Sequence, residues 1–401
     1  MDETLAWWQR LSAARADKQL TQEQLATRLH ALAGHATPLP KPPDLARMIR
    51  YWESGRNVPR PMYRTLLSGA LDVSVGALFG TNPRRRSLQA SQSASAPRLP
   101  AEEHLGDVLD HLTSQWHLLV QRDNLLGPRH TIPGVREQLG LVTELLAPAR
   151  GEDRLKVLQL AARYAESAAW LHEDAGQPVE ALRWTDQAAS FAYEADDELM
   201  LAWTMFRRSQ QAMTDARAGE VIGLTEAALR RIERPPTAMR AALLQQQAQG
   251  HALDGQEMLC LNLLDEAQRL ADRVSDDGDA RAGHGSFCTP AYVDVVRASC
   301  WTHLGKHARA VAAYEEALPK LPPVYRRDRG MALAGLAAAH AGGGQPEQAA
   351  KRALQALEIA TAAGSARIVR VVAGVNSALV PHRKKPAVAA LRVALANASG
   401  L

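Results

Sequence analysis

Cysteine is nearly absent, with only Cys260, Cys288 and Cys300 in 401 residues. Three thiols cannot build a disulfide framework, and their plain reading is reduced, buried side chains in a cytoplasmic protein. Aromatic residues are also scarce, at 8 Trp, 7 Tyr and 4 Phe. A strand-rich fold draws on more β-branched and aromatic residues than this, so the Ala-rich chain is expected to be all-α. No run of about 18 uncharged apolar residues occurs, which argues against a membrane span. Met1 to Arg10 contain no apolar stretch of the kind that opens a secretory signal. Enzyme signatures are missing as well. There is no Gly-x-x-x-x-Gly-Lys loop for nucleotide phosphates, and Gly342-Gly343-Gly344 lacks a following Lys-Ser/Thr. His284, Cys288, Cys300 and His303 show neither the C-x-x-C nor the H-x-x-x-H spacing that would anchor a metal or a Cys–His nucleophile. The expectation is a protein that is not an enzyme, with no catalytic residue, no cofactor and no metal.

The net charge of +4 is unevenly spread. Residues 1–86 hold 13 Lys+Arg against 7 Asp+Glu, whereas the other 315 residues hold 34 against 36. A small basic module on a near-neutral body points to nucleic-acid contact at one end, although charge alone fits a solvated surface equally well. Composition separates three regions: a compact segment over 1–80, a flexible linker over 81–100 rich in Ser, Pro, Arg and Gln, and a helical region over 101–401.

The long region repeats. Turns centred on Gly176, Ala216, Gly255, Gly305 and Gly344 are spaced 40, 39, 50 and 39 residues apart. Twelve residues after each centre stand Ala188, Ala228, Ala267, Ala317 and Ala356. Five after stand Ala181, Val221, Cys260, Ala310 and Ala349, and seven before stand Ala169, Ser209, Ala248, Ala298 and Ala337. Small residues at fixed offsets allow two helices to approach closely, so the units are expected to be stacked helical hairpins. The expected hairpins cover 153–195, 197–233, 237–275, 290–321 and 326–362, with capping helices over 365–398. The run from Gly305 to Leu318 resembles a tetratricopeptide repeat, with Pro322 where that family often places proline. The period is longer than the family's, and the Trp and Tyr usual in its first helix are missing. The long spacing holds an insertion over 276–290, which either covers a binding surface or is a tolerated surface loop.

In the first 80 residues, Thr21 and Gln24 form a capping box ahead of Leu25 and Leu29. A second helix is expected to begin at Asp44, with Leu45, Met48, Ile49 and Trp52 as its apolar stripe. That arrangement turns Ala46, Arg47, Arg50 and Tyr51 outward, and Gly55 is followed by a basic turn holding Arg56, Asn57 and Arg60. Exposed arginines and a tyrosine on a short capped helix suit base edges and phosphates.

Leu20 to Ala26, Ile49 to Pro61 and Leu71 to Phe79 together resemble the Xre/Cro family of helix-turn-helix transcription regulators, over residues 5–80. The resemblance implies a five-helix, lambda-repressor-like domain that binds double-stranded DNA as a homodimer. It implies that Gln22 contacts phosphate, that Arg47, Arg50 and Tyr51 read the major groove, and that Trp52 and Glu53 are structural. The Pro-rich turn from His30 to Pro43 is far longer than the family's usual connection, a variation familiar in actinobacterial members.

A basic reader joined to a tetratricopeptide-like α-solenoid resembles the repeat-containing regulators of Gram-positive bacteria, several of which bind a signalling peptide on the concave face. The repeat register places Arg163, Glu166 and Trp170 on that face, followed by Trp203, Phe206, Gln210 and Met213. Gln245 and Gln249 come next, then Tyr292, Ser299 and His303. Aromatic and amide groups suit a signalling peptide or another small ligand, but aromatics also fill gaps between repeats. Arg207-Arg208 beside this row either holds a ligand carboxylate or forms surface ion pairs. The function expected is a cytoplasmic, ligand-sensing, DNA-binding regulator. The alternative is a repeat-based adaptor whose basic module docks protein.

Overall fold

The computed structural model describes residues 6–33, 39–57, 59, 61–71, 73, 78–79, 104–273, 283–323 and 325–398. Among these the chain is all-helical, with eighteen α-helices and no strand. It divides into two compact units, residues 1–98 and 99–401. The linker expected over 81–100 lies outside the described residues, as do Arg60 and residues 276–282 of the insertion.

The first unit contains α1 (Trp7–Asp17), α2 (Gln22–Ala33), α3 (Pro42–Glu53) and α4 (Pro61–Leu71), and Leu78 and Phe79 are again helical. The capping box forms: Gln24 N donates to Thr21 Oγ1 at 3.1 Å, and Thr21 N donates to Gln24 Oε1 at 2.7 Å. Both orphan donors at the start of α2 are thereby satisfied. Helix α3 starts two residues before the expected Asp44. Lys41 takes the cap position, and Pro42-Pro43 form a first turn in which the missing N–H costs nothing. Leu45, Ile49 and Trp52 enter a core with Leu25 and Leu29 of α2 and Leu67 and Leu71 of α4. Ala46, expected outward, is buried too, because α1 and α2 both pack on α3 and widen its covered face.

The second unit is a series of seven helical hairpins. The first, α5 (Leu105–Leu126) with α6 (Pro128–Leu145), carries no repeat signature. The next are α7 (Gly151–Asp174) with α8 (Pro178–Glu194), α9 (Glu198–Thr214) with α10 (Ala218–Arg231), and α11 (Thr237–Leu253) with α12 (Glu257–Ala271). They are followed by α13 (Pro290–His303) with α14 (His307–Ala317), α15 (Arg326–Gly342) with α16 (Pro346–Ala363), and α17 (Ala366–Ala378) with α18 (Pro386–Ala398). Each first helix of a hairpin from α7 onward packs on the first helix of the next. All fifteen residues at the three repeat offsets are at most 1 % exposed. They sit where helices cross, and only small side chains permit that approach.

A second device recurs across the turns. His172, His251 and His340 each place Nδ1 2.6 Å from the Oε1 of Gln177, Gln256 and Gln345, five residues on. The contact requires the proton on Nδ1 and clasps the end of one helix to the start of the next. The signal, His four residues before the turn glycine and Gln just after it, was present in the sequence.

The array also closes on itself. The turn at Gly127 lies so near the end of α16 that a Cβ there would meet Ala363 O at 1.9 Å, and Gly176 lies against Ala366 at the start of α17. Helices α7 and α17 are in contact.

All five turn centres adopt positive φ, but position 216 is alanine, at φ 55°. A left-handed L-residue is disfavoured by about 1–2 kcal/mol. Ala216→Gly is expected to raise stability by about 1 kcal/mol in urea unfolding. Gly255→Ala, where an added Cβ would meet nothing within 4 Å, is expected to lower it by about the same amount.

Candidate functional site

Two regions carry exposed or clustered chemistry, one in each unit. In the first unit, the solvent side of α3 presents Arg47, Arg50 and Tyr51, all exposed, with Arg56 and Asn57 exposed in the following turn. The Arg56 guanidinium lies 5.9 Å from the centre of the Tyr51 ring. Arg47 pairs with Asp44 at 3.0 Å in the open, a contact of little energetic weight. Beneath this face a polar network fixes the geometry. Glu53 accepts from Arg15 Nε at 2.6 Å and from Gln22 Nε2 at 2.7 Å, and Gln22 Oε1 accepts from Arg50 Nε at 3.3 Å. Gln22, half-buried, thus ties the start of α2 to α3 and holds Arg50.

In the second unit a cavity of about 520 Å³ opens between α5, α6, α7, α9, the end of the insertion and the starts of α13, α15 and α17. Of the residues expected to line the concave face, Arg163, Glu166, Trp170, Trp203, Arg207, Gln210 and Tyr292 do so. Glu166 is the hub of this group. It accepts from Trp203 Nε1 at 3.0 Å and from Arg207 Nε, while Arg207 Nη1 donates to Gln210 Oε1 at 2.7 Å. The neighbouring Arg208 instead pairs with Asp186 on the surface.

Six expected residues lie elsewhere. Phe206 is fully buried in the core, stacked on Trp203 at 4.5 Å between ring centres, so it supports the wall without lining it. Gln245 is fully buried because α11 is covered by helices on every side. Its amide donates to Ala242 O at 2.9 Å, and Gln249 donates to it and to Gln246. Those glutamines bond to one another and to the backbone within the helix, with Gln246 Nε2 left unpartnered, and none lines the cavity. His303 is exposed at the end of α13, outside the cavity, and Met213 and Ser299 also fall outside its lining.

Repeat periodicity missed other lining residues. The insertion contributes His284, stacked on Trp203 at 5.0 Å, and Phe287, edge-on to Tyr292 at 5.0 Å. Burial holds His284 below the ordinary imidazole range despite the pull of Glu166, so it is neutral at pH 7. Trp116, which donates to Ser167 Oγ at 2.9 Å, comes from the hairpin without a repeat signature. Tyr325, Arg326, Arg327, Asp328 and Arg367 come from the starts of α15 and α17.

Arg327 joins the two ends of the array across one side of the cavity. Its guanidinium grips both oxygens of Asp123 on α5, donating from Nη1 at 2.9 Å and from Nη2. Nη1 also donates to Asp174 at 2.8 Å, at the end of α7, and Asp174 accepts from Ser365 Oγ at 2.6 Å. Burial works against the Arg327 charge, but Asp123 and Asp174 outweigh it and hold the guanidinium ionised.

Among the described residues no group of three or more His, Cys, Asp or Glu side chains is arranged to hold a metal ion. The three cysteines are free and buried. No helix is long and apolar enough to cross a membrane among the residues described. Comparison with models of known protein families and with curated protein sequences finds no match.

Removing Arg327 leaves the buried Asp123 carboxylate without its cation and Asp174 with only Ser365 and Arg367. Arg327→Met is expected to cost about 3–5 kcal/mol in denaturant unfolding. Arg230→Ala, which breaks the exposed pair with Glu226, is expected to change stability by less than about 0.5 kcal/mol. Asp328 gives a pH signature. Burial raises its carboxyl above the ordinary value of 3.8, against the pull of Arg367 and Arg327. The folded chain therefore keeps this proton to higher pH than the unfolded chain does. The resulting stabilisation is complete below the ordinary value and is lost as pH rises through the folded one. Asp328→Asn is expected to melt above the wild type at pH 7, with the gain shrinking as the pH falls toward about 4.

Proposed function

We propose that the chain is a sequence-specific DNA-binding transcription regulator of the Xre/Cro kind. In this proposal the first unit is a lambda-repressor-like helix-turn-helix reader. The second is a tetratricopeptide-like solenoid that senses a signalling peptide or another small ligand and mediates homodimerisation in the cytoplasm. We assign it no catalytic centre, cofactor or metal.

The observation that carries the proposal is the solvent face of α3. Arg47, Arg50 and Tyr51 stand exposed on a helix whose opposite face is anchored by Leu45, Ile49 and Trp52. A helix so anchored can enter a major groove without rearranging, and arginine presents paired donors to guanine. The Gln22–Arg50 contact restricts one reader before DNA arrives, which lowers the ordering cost on binding. A homodimer would address half-sites about 34 Å apart or at multiples of that distance. The aromatic cavity, enclosed within the second unit and outside the core proper, supports the sensor role.

The test starts from genomic DNA fragments selected by the purified chain. Arg47→Ala and Arg50→Ala are each expected to weaken binding to a selected fragment by about 1–3 kcal/mol and to flatten its dependence on salt. Unchanged DNA affinity and salt dependence, together with loss of a protein partner, would establish the adaptor alternative and refute the regulator.

A further inference from the structure

The chain has 19 aromatic residues, and six of them line this cavity: Trp116, Trp170, Trp203, Phe287, Tyr292 and Tyr325. Walls of this kind take a flat apolar body. The volume of about 520 Å³ suits a compact molecule. An extended heptapeptide would span about 23 Å, and the Asp123–Arg327 bridge between α5 and α15 bounds the cavity on one side.

The arginines around the cavity differ in how fully they are satisfied. Arg207 is paired with Glu166, and Arg327 with Asp123 and Asp174. Arg367 shares Asp174, and Arg163 and Arg326 form no ion pair among the described residues. The other lining carboxylates are Asp197, whose side chain caps α9 by accepting from Met200 N, and Asp328, which burial disposes toward its neutral form. Arg367 is the most telling of the three. Its Nε and Nη2 are buried with no hydrogen-bond partner. The nearest carboxylate, on Asp174 at 3.4 Å, is already filled by Arg327 and Ser365. The buried Glu173 carboxylate also feels the Arg367 charge but accepts no hydrogen bond from these donors, which leaves them open to an acceptor on a ligand.

A cationic ligand is disfavoured by the same geometry. The Trp170 ring, the natural platform for an ammonium group, already carries the guanidinium of Arg367 at 4.6 Å and that of Arg207 at 4.9 Å.

We infer that the cavity binds a compact aromatic anion, a planar ring system bearing a carboxylate, with the rings among the aromatic side chains of the wall and the acid group received by Arg367 and Arg326. The inference rests on the sensor role proposed above and names the chemical class sensed.

The test is calorimetric titration of the full chain with three probes of one shape and different charge: 2-naphthoate, 2-naphthamide and 2-naphthylmethylammonium. Naphthoate is expected to bind about tenfold or more tighter than the amide, with the ammonium weakest. Arg367→Gln is expected to remove that preference while leaving the amide unaffected. Arg208→Gln, on the surface beside the cavity, should change neither. If Arg367→Gln fails to fold, Arg326→Gln takes its place with the same expectation. Equal binding of acid and amide, a preference that survives both substitutions, or no binding by any probe would each overturn the inference. Operator affinity measured with and without naphthoate separates the two levels. Selective, Arg367-dependent binding that leaves DNA affinity unchanged upholds the ligand class and counts only against the sensor role.

Discussion

The second unit is organised around a charge that cannot stand alone. Arg327 is buried, and a guanidinium taken out of water is tolerable only with carboxylates held in hydrogen-bonding geometry. Asp123 supplies a two-pronged partner and Asp174 a second, with Ser365 satisfying the remaining oxygen of Asp174. These groups come from α5, α7, α15 and the start of α17, four elements spread from position 123 to position 365. Once the charges are paired, the placement of those elements follows. The cavity walls are largely the same elements.

The aromatic residues show a similar economy. Most of the second unit is built from Ala at helix crossings, where large rings would hold the hairpins apart. Six rings gather where the hairpins diverge around the cavity, while Tyr164 and Tyr314 are buried between helices. The insertion adds His284 and Phe287 there, so that Trp203 is covered on one side by Phe206 and approached by His284. Glu166 then ties Trp203 and Arg207 together, fixing an apolar ring beside a charge.

How much of this was legible depends on whether the information is local. Turn centres at 176, 216, 255, 305 and 344 and the small residues at fixed offsets located the hairpins, because crossing points recur along the chain. The Thr21–Gln24 cap and the Leu45–Ile49–Trp52 stripe were legible for the same reason: each lies within two turns of helix. The hairpin α5–α6 was not, since it lacks the offsets and carries Pro133 within α6. Of the twelve residues expected on the concave face six line the cavity, as does Arg207 beside them, all on first helices whose faces periodicity identifies. Gln245 and Gln249 failed because α11 is covered on every side, and amphipathic periodicity says nothing of a helix with no free face. Arg326, Arg327, Asp328 and Arg367 reach the cavity only through closure of the array, a long-range event with no local signature.

That closure changes what kind of object the array is. In an open repeat protein each unit answers only to its neighbours, and units can be gained or lost at either end. Here the turn at Gly127 abuts Ala363, and α5 is tied to α15. The first hairpin is clasped to the sixth, so the number of hairpins between them is set by the angle each one subtends. One hairpin more or fewer would pull Asp123 away from Arg327. The additional residues between the third and fourth repeats fall between hairpins, where they leave that angle unchanged. Unfolding should then be concerted across the hairpins between α5 and α15.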